Sequence, residues 1–527
     1  MSWEKPGSDD ILTQYASSHP VYEWMPYYTR ADAPRNIQLE DRLFSKETLI
    51  HTGIHFKRYE EMKVTVFNGP DGFKPMHTFE DSPLDNEVKE NVLRMGYKSP
   101  TPIQRNAIPL ILAGKDLLGC AQTGSGKSAA YLVPIISNLL ALLEKHPEAQ
   151  TRRRPSAPLA LVLVPTRELA IQLHADAARF SYRTPVRPTV IYGGPPASQL
   201  RTNLASGCDV LIATPGRLKD FIENRGVSLT NIRYLVLDEA DRMLDMGFEG
   251  DIREIVLNSP MPHVLNRQTL LFSATFPRTI QKLAEDFIVP HAAKVRIGRI
   301  GGTTKDITQN VMYAEDCEKR NMLFEILKTK VARTLIFVKT KREADICGRS
   351  PIMIATSVAS RGLDIKDIMH VINYHLPSDI DEYIHRIGRT ARVGNPGLAT
   401  SFYNENDAML APALTKILQE CGQEVPDFLE QYIDPDSTYE TPDTGFVTKE
   451  ELVQEEEEED GKPGGGDSWG GQEKASSSGW ETKDTAGGER HDKEMPTESG
   501  WSAGGETSTG TDGWAIAEPP SAPRSGW

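Results

Sequence analysis

The sequence predicts two α/β domains in series, each built around a parallel β-sheet, and a disordered C-terminal tail. Between residues 80 and 290, short and continuously apolar runs alternate with helical stretches, which is typical of parallel strands buried on both faces. A second region of the same kind runs from about 305 to 430. After about 440, acidic, Gly, Ser and Thr residues replace the aliphatic ones, so this segment cannot bury enough apolar surface to offset the entropy of ordering.

Composition narrows the class of protein. Hydrophobic residues make up 39% and charged residues 25% of the 527 residues, as in a soluble globular protein. We expect no membrane insertion or secretion, since no apolar run approaches the roughly eighteen residues of a span and the first ten residues are too charged for a signal peptide. The five cysteines lie far apart without a CxxC pair, which argues against a disulfide framework or zinc site and favours a cytosolic or nuclear protein.

Charge is distributed unevenly along the chain. The net charge is −15, but residues 451–527 contain 6 Lys and Arg against 18 Asp and Glu. The acidic balance therefore describes the tail and says little about what the folded part binds. We expect an irregular N-terminal extension over residues 1–75, a first domain over 76–295, a shorter second domain over 305–430, and a disordered acidic Gly/Trp tail over 440–527.

The strands of the first domain end in polar or small residues. The apolar runs LALVLVP, DVLIATP, YLVLDEAD and TLLFSAT lead into PTRE, TPGR, DEAD and SAT. In open parallel sheets ligands bind at the carboxyl ends of the strands, so these four segments are expected to converge on one cleft. One such ending could be an ordinary transition from strand to loop, but four in a row favour a functional site.

A glycine-rich segment, AQTGSGKS (121–128), follows an apolar run. Its glycines would let backbone N–H groups face a polyphosphate, Lys127 would reach the β- and γ-phosphates, and the Ser128 hydroxyl would bind Mg²⁺. Alternatively, the glycines serve only as a turn before a helix. The predicted nucleotide-binding residues are Ala121, Gln122, Thr123, Gly124, Ser125, Gly126, Lys127 and Ser128.

A carboxylate pair follows the strand YLVL (234–237). Asp238 is placed to hold hydrated Mg²⁺, and Glu239 to orient or deprotonate an attacking water. Acidic residues after a strand are commonly just a solvated loop. Together with a phosphate loop on the same sheet, they favour a site that hydrolyses a nucleoside triphosphate.

Eight motifs in order resemble those of the DEAD-box RNA helicases over residues 79–430. They are TPIQ (101–104), AQTGSGKS (121–128), PTRELA (165–170), TPGR (214–217), DEAD (238–241), SAT (273–275), RGLD (361–364) and HRIGRTAR (385–392). Within that family GIHFKRYEEM, ATSVASRGLDI and MLDMGF look most like the Vasa and Ded1-type branch, with Vasa closest. The resemblance implies two tandem RecA-like domains, ATP and Mg²⁺ as cofactors, and RNA as a partner held through its backbone without sequence specificity.

The resemblance also assigns roles to individual residues. Phe79, Pro102 and Gln104 correspond to an adenine-reading motif, and Asp364 would face the nucleotide. Ser273, Thr275 and His385 would couple hydrolysis to domain closure, while Arg389 and Arg392 would stabilise charge on the γ-phosphate. A basic helix start at the surface is the alternative reading of HRIGRTAR, where Ala391 replaces the family's glycine. The implied RNA-binding residues are Pro165, Thr166, Arg167, Gly193, Gly194, Thr214, Pro215, Gly216, Arg217 and Thr356.

The second domain is shortened in its middle, near residues 347–348. Only residues 341–350 separate TLIFVKT from PIMIATS, which barely covers one crossover connection, and the family places a further strand and helix there. A splice or gene-model variant lacking an exon and a family member with a reduced domain are the two explanations, and matching flanks favour the first. We expect this chain to fold poorly in its second half or to hydrolyse ATP weakly.

Five of the seven tryptophans lie in the tail, at positions 469, 480, 501, 514 and 527, each beside a glycine. Widely spaced tryptophans in a flexible acidic segment can insert singly into pockets and gain affinity through multivalency. The pattern is similar to Gly-Trp hooks that bind Argonaute-type small-RNA proteins. Low-complexity sequence with incidental tryptophans, or weak self-association, is the alternative.

The leading hypothesis from the sequence is an ATP-dependent RNA helicase that clamps, locally unwinds or remodels RNA and RNA–protein complexes. The Vasa resemblance adds germline and small-RNA regulation, and a cytoplasmic location in RNP granules. The competing hypothesis is a catalytically impaired isoform that acts as an ATP-binding scaffold and recruits Argonaute-type proteins through its tail.

Overall fold

The structure is a computed structural model. It describes residues 21–25, 27–30, 32–45, 62, 64–122, 124–146, 156–298, 307–329, 333–339, 352–356, 368–391 and 396–433. The predicted tail over 440–527, with its tryptophans, lies outside the described residues, as do Thr123, Asp364, Arg392 and the whole of residues 340–351, where the second domain is shortened.

The first domain contains an eight-stranded sheet in the order β1-β8-β2-β7-β6-β3-β5-β4. All neighbouring strands are parallel except β1, which pairs antiparallel with β8. The strands are β1 (Val64–Phe67), β2 (Leu117–Cys120), β3 (Ala160–Leu163), β4 (Pro188–Ile191), β5 (Val210–Ala213), β6 (Tyr234–Leu237), β7 (Gln268–Ser273) and β8 (Ala293–Ile297).

Helices cover both faces of this sheet, and for this reason its central strands are apolar at every position rather than alternating. Every residue of β2, β3, β5 and β7 is buried. The helices of the first domain and its N-terminal segment are α1 (Ile37–Leu43), α2 (Asn86–Arg94), α3 (Pro102–Leu112), α4 (Lys127–Lys145), α5 (Arg167–Phe180), α6 (Ala197–Ala205), α7 (Pro215–Glu223), α8 (Ala240–Asp245), α9 (Glu249–Arg253) and α10 (Arg278–Phe287). A π-helical turn (Glu254–Asn258) and a 3-10 turn (Val264–Asn266) lie between α9 and β7.

Two short regular elements lie among the described residues of the predicted irregular extension over residues 1–75. Helix α1 begins after Asn36, whose side chain accepts a hydrogen bond from the Leu39 N–H, and β1 extends the sheet at its β8 edge. The sequence signal for β1 is weak, since four residues of strand pattern become a strand only when β8 supplies the pairing edge. Helix α4 is long and apolar enough to cross a membrane by composition, but 72% of its apolar window is buried inside the first domain.

The second domain is a parallel sheet in the order β11-β10-β12-β13-β9. This confirms the predicted fold class of two parallel-sheet α/β domains. Its strands are β9 (Ile307–Tyr313), β10 (Thr334–Phe337), β11 (Ile352–Ala355), β12 (His370–Asn373) and β13 (Gly397–Tyr403). Its helices are α11 (Lys319–Thr329), α12 (Ile380–Ile387) and α13 (Ala411–Glu420), with 3-10 turns at Glu405–Asp407 and Asp427–Tyr432.

Strand β11 is the outer strand of this sheet among the residues that the structure describes. Its neighbour β10 is fully buried, whereas β11 is only partly covered and the Met353 side chain is 41% exposed. A parallel strand is normally buried on both faces. The half-exposed edge strand therefore follows, along the chain, the short connection that the sequence singled out.

Candidate functional site

Strand register brings the polar segments of the first domain to one edge of the sheet. Residues at or near the C-terminal ends of neighbouring strands are paired in register: Cys120 with Ser273, Leu237 with Leu271, Leu163 with Leu237, Leu163 with Ala213, and Ala213 with Ile191. The loops after these strands therefore all begin along the same edge of the sheet. The phosphate loop and the acidic pair occupy one half of it, and the predicted RNA-contacting segments occupy the other.

The glycine-rich segment forms a loop between β2 and α4. Gly126 is the N-cap of α4 with φ 87°, a left-handed conformation that glycine adopts without strain. The Lys127 side chain is buried and its Nζ donates to the carbonyl oxygen of Ala121 at 2.8 Å. The N-terminus of a helix presents unpaired N–H groups and a positive dipole end, so this loop is suited to bind a polyphosphate.

Gln104 links the predicted adenine-reading motif to the phosphate loop. Its Oε1 accepts from the Thr101 N–H at 2.9 Å, and its Nε2 donates to the Gly126 carbonyl oxygen at 3.0 Å. A Cβ atom on Gly126 would lie 2.5 Å from that Nε2. An amide keeps a second N–H and a second lone pair, so Gln104 retains capacity for a base edge. Pro102 starts α3, and Phe79 is fully buried 5.9 Å from the Tyr97 ring.

The two predicted Mg²⁺ ligands are joined through a tyrosine. The Tyr131 hydroxyl donates to Asp238 Oδ2 at 2.7 Å, and Ser128 also exchanges a hydrogen bond with Tyr131. Burial raises the pKa of Asp238 to about 6, the Lys127 charge opposing it. Carboxylate and hydroxyl oxygens are the ligand type that Mg²⁺ prefers, so Asp238 and Ser128 fit this ion.

Glu239 has an unusual backbone conformation at the start of α8. Its φ is 51°, in the left-handed region that costs a non-glycine residue roughly 1–3 kcal/mol. Its Oε2 is buried and has no hydrogen-bond partner within the described ranges. Strain of this kind persists where the surrounding structure fixes it, and here it holds Glu239 Oε2, which lacks a partner among the described residues, beside Asp238.

The last residue of the acidic tetrapeptide holds the 273–275 segment. Asp241 Oδ2 accepts from the Ala274 N–H and the Thr275 N–H, each at 2.9 Å, and from Thr275 Oγ1 at 3.1 Å. Burial acts to raise the pKa of Asp241, but His385 when it is protonated, the charge of Lys127, and the hydrogen bonds from Thr275 and Ser273 hold it below the ordinary value. Asp241 is therefore ionised at neutral pH.

The second domain contributes a histidine and an arginine from one segment. His385 lies on α12 with its Nε2 3.8 Å from Asp241 Oδ2, and burial lowers its pKa to about 4 despite that carboxylate. The imidazole is accordingly neutral at pH 7. Arg389 follows α12, is buried, and donates from Nε to the His385 carbonyl oxygen at 3.3 Å.

Two of the predicted RNA-contacting segments meet at the carboxyl ends of β3 and β4. Pro165 precedes Thr166, which caps α5 by accepting from the Leu169 N–H at 3.3 Å and so presents Arg167 at the first helical position. A Cβ atom on Gly194 would lie 3.0 Å from Arg167 Nη1, so the guanidinium packs closely against the backbone of Gly193 and Gly194. Gly194 has φ 126°, which favours glycine.

The third segment follows β5. Thr214 is the N-cap and Pro215 the first residue of α7, followed by Gly216 and Arg217. Arg217 donates to the Pro195 carbonyl oxygen at 2.8 Å and lies over the Phe221 ring at 5.5 Å, so its head is held beside the loop after β4. Thr356, in the second domain, follows β11 and is buried.

Sequence reasoning missed three residues of this site: Tyr131, Asp241 and Arg242. Asp241 was visible as the fourth position of the tetrapeptide, but only the structure shows its hydrogen bonds to 274–275. Arg242 is 4% exposed, and its Nε and Nη1 have no hydrogen-bond partner within the described residues. Its charge contributes to the low pKa of His385. The sequence signal that could have pointed to Arg242 is its position directly after the acidic tetrapeptide.

Comparisons with known proteins show which families and solved structures this chain resembles. The family model described as DEAD/DEAH box helicase matches residues 101–283, and the model described as helicase conserved C-terminal domain matches residues 346–394. The RNA-helicase Prp28 from Chaetomium thermophilum bound to ADP is 31% identical, with 73% of this chain and 99% of that chain covered and a TM-score of 0.41. A DEAD box protein from Methanococcus jannaschii is 30% identical over 67% of this chain and 99% of its own, with a TM-score of 0.41. Dbp5 of S. cerevisiae, bound to Gle1 and IP6, is 26% identical over 67% of this chain and 96% of its own, with a TM-score of 0.52.

Proposed function

This chain belongs to the DEAD/DEAH box helicase family and is an RNA helicase enzyme. From this premise we propose that it hydrolyses ATP between its two domains to clamp and locally unwind RNA or to remodel RNA–protein complexes. The observation that carries the proposal is that the carboxylate of Asp241 contacts both domains. It binds the 274–275 segment of the first domain and lies 3.8 Å from His385 of the second, so the nucleotide edge of one sheet is in contact with the other domain.

Each residue has a chemical task in this reaction. Lys127 offsets the negative charge of the β- and γ-phosphates, and Glu239 accepts the proton of the attacking water. Asp238 and Ser128 hold Mg²⁺, which supplies charge neutralisation to the phosphates when bound. Arg389, together with Arg392 outside the described residues, stabilises the charge that develops on the transferred group.

The RNA is held by its backbone in this proposal. Arg167, Arg217 and the backbone N–H groups of the loops after β3, β4 and β5 contact phosphate and ribose, which carry no sequence information. Substrate choice is accordingly weakly dependent on sequence, and affinity falls as salt rises.

Glu239→Gln tests the clamp. The variant keeps the shape of the side chain but cannot take the proton, so ATP hydrolysis should fall by about 10²- to 10⁴-fold while ATP and RNA stay bound. The measurement is the release of labelled single-stranded RNA after dilution into ATP. Glu223→Gln, an exposed residue at the end of α7, is the control. A Glu239→Gln protein that releases RNA as fast as the parent would contradict the clamp.

We also propose a cellular role from the resemblance to Vasa: germline or small-RNA regulation in cytoplasmic RNP granules. The tail supports it, because five Gly-adjacent tryptophans in an acidic segment suit multivalent binding to Argonaute-type proteins. Pull-down of an Argonaute-type protein by the full chain is compared with a variant in which these five tryptophans are alanine. Equal capture by both would contradict the tail's role, and diffuse nuclear staining in germ cells would contradict the location.

The shortened second domain favours a second candidate, an ATP-binding scaffold that retains RNA without unwinding it. The observation behind it is the half-exposed edge strand β11, which follows the ten-residue segment 341–350 along the chain. Strand displacement and RNA retention measured on one preparation separate the candidates. Retention without displacement supports the scaffold, and ATP-dependent displacement supports the helicase.

A further inference from the structure

The segment before the first domain, here called the N-terminal arm (residues 21–25, 27–30 and 32–45), is held on the end of α5 by two arginines. Arg179 donates from Nε to the Leu43 carbonyl oxygen at 2.8 Å. Arg183 donates from Nε and Nη2 to the Ala33 carbonyl oxygen at 3.1 and 3.0 Å. Both acceptors belong to the main chain of the arm, so the path of its backbone is fixed rather than only its side chains.

Tyr182 is the centre of the arm's apolar contact. Its ring meets those of Tyr22 and Phe44 edge-on, with centroids 5.4 and 5.7 Å away. Its hydroxyl accepts from the Asn36 N–H at 3.1 Å at the start of α1, and the Arg94 guanidinium lies 5.7 Å from its ring centroid. Such ring pairs contribute beyond their buried area.

Arg183 holds this contact in a strained conformation. Its φ is 58°, in the left-handed region, and its Nη1 also donates to Glu87 of α2 at 3.2 Å. Because a non-glycine residue would otherwise leave this conformation, the contacts of Arg183 to Ala33 and Glu87 must hold its backbone there. The arm is therefore joined to α2 as well as to α5.

A third arginine, Arg30, joins the start of α2 to the end of α4. It forms ion pairs with Asp85, the N-cap of α2, and with Glu144 near the end of α4, the latter at 2.6 Å. The Asp85 N–H donates to Ser137 Oγ on α4 at 2.9 Å. Arg30 thus bridges the segment that leads to the adenine-reading motif and the helix that starts at Lys127.

A line of aromatic rings leads from the arm to the adenine-reading motif. Phe180 lies 6.2 Å from Tyr97, and Tyr97 lies 5.9 Å from Phe79. Asn91 of α2 donates to the Phe180 and Tyr182 carbonyl oxygens at 3.1 and 2.8 Å, which fixes the start of this line beneath the arm. Packed rings and buried amide bonds transmit a displacement because the interior is close-packed.

We propose that the N-terminal arm is a positioning element for ATP binding: by holding Asp85 against Glu144 and α2 against α5, it sets the distance between the adenine-reading segment and the phosphate loop. Arg30 is its positioning residue. The inference rests on the proposed function, because it concerns the affinity of the same nucleotide site.

Arg30→Ala in the full chain is the test. RNA-stimulated ATPase kinetics should show the KM for ATP raised about three- to fivefold, with kcat within about twofold, because a partly exposed ion pair contributes a modest energy. Arg30→Lys should recover at least half of the loss. A variant that only unfolds part of the population would lower kcat and leave KM unchanged, and that result overturns the proposal.

Arg35→Ala is the matched control. Arg35 is in the same arm, is 64% exposed and pairs with Glu40 inside the arm at 2.9 Å. The KM for ATP of Arg35→Ala should equal that of the parent. An equal rise of this KM in Arg35→Ala and Arg30→Ala overturns the role of Arg30. Binding of a fluorescent ATP analogue to the parent separates the two claims. A parent that binds no ATP refutes the proposed function, whereas a parent that binds ATP with an affinity unchanged in Arg30→Ala refutes only the arm.

Discussion

Asp241 of the first domain and His385 of the second lie 3.8 Å apart, measured between Oδ2 and Nε2. The contact does not depend on a charged imidazole, because burial lowers the pKa of His385 to about 4. The same Asp241 oxygen accepts three hydrogen bonds from Ala274 and Thr275. A change at the nucleotide that moves Asp241 therefore acts on both domains.

Thr275→Val should uncouple ATP hydrolysis from unwinding. The change keeps the shape of the side chain but removes the hydroxyl that donates to Asp241, leaving a buried carboxylate one hydrogen bond short. We expect the first domain to lose about 1–3 kcal/mol of stability in urea unfolding. Duplex separation per ATP hydrolysed should fall, and Thr275→Ser should retain it. Equal coupling in Thr275→Val and the parent would refute the role of this hydroxyl.

Gly126→Ala should weaken ATP binding more than its backbone strain alone would. A Cβ there lies 2.5 Å from Gln104 Nε2, so the amide that joins the adenine-reading motif to the loop is displaced. Gly114→Ala is the matched control, since Gly114 has a similar φ of 75° and no atom within 4 Å of the added Cβ. Both variants carry roughly 1–2 kcal/mol of strain. Only Gly126→Ala should raise the Kd for ATP by more than about tenfold, and equal effects would count against the bridge.

Asp381 gives the second domain a pH-dependent stability. Burial, together with the carboxylates of Asp379, Asp241 and Asp245, raises its pKa to about 6. Because this folded-state pKa exceeds the unfolded one, the folded chain binds the proton more tightly between about pH 4 and 6, and stability falls as pH rises through that window. Asp381→Asn should raise the melting temperature at pH 7 and flatten its change between pH 4 and 6.

The control for this titration is Glu424→Gln, which removes an exposed carboxylate of the same domain. It should leave the pH profile of the parent unchanged. A profile for Asp381→Asn that runs parallel to that of the parent would exclude Asp381 as the titrating group.

Ala391→Gly should stabilise the second domain. Ala391 is buried with φ 54°, a left-handed conformation that costs an alanine about 1 kcal/mol and glycine almost nothing. Ala408→Gly is the opposite control, since Ala408 is exposed with φ −56°, where glycine only adds freedom to the unfolded chain. Urea unfolding should show a gain for Ala391→Gly and a loss for Ala408→Gly. A loss in both would refute the strain at Ala391.

The parallel sheets and the edge that carries the site were predictable from the sequence. Buried strands give continuous apolar runs, and their ends carried the polar segments now found in register at Cys120, Leu163 and Leu237. The strand β1 was not predictable, because its pairing with β8 joins segments more than 200 residues apart and leaves only four residues of local pattern. The arm was missed for the same reason, since its anchors are backbone carbonyl oxygens.

The candidate site was predictable where chemistry demands a residue type, and not where geometry alone decides. A phosphate loop requires glycine and lysine in sequence, so Gly126 and Lys127 were visible. The bridge from Gln104 to Gly126 and the left-handed Ala391 depend on tertiary packing, which leaves no periodic signal. Ala391 could be noted only as an alanine in place of a glycine, and its strain appears when its φ is measured.

The most direct test of the account is ATP turnover by the purified full chain with and without single-stranded RNA, beside Lys127→Ala. The account predicts that RNA raises turnover in the parent, and that Lys127→Ala loses at least about a hundredfold because the phosphates lose their buried cation. Turnover that is absent in the parent with RNA, or equal in parent and variant, would contradict it.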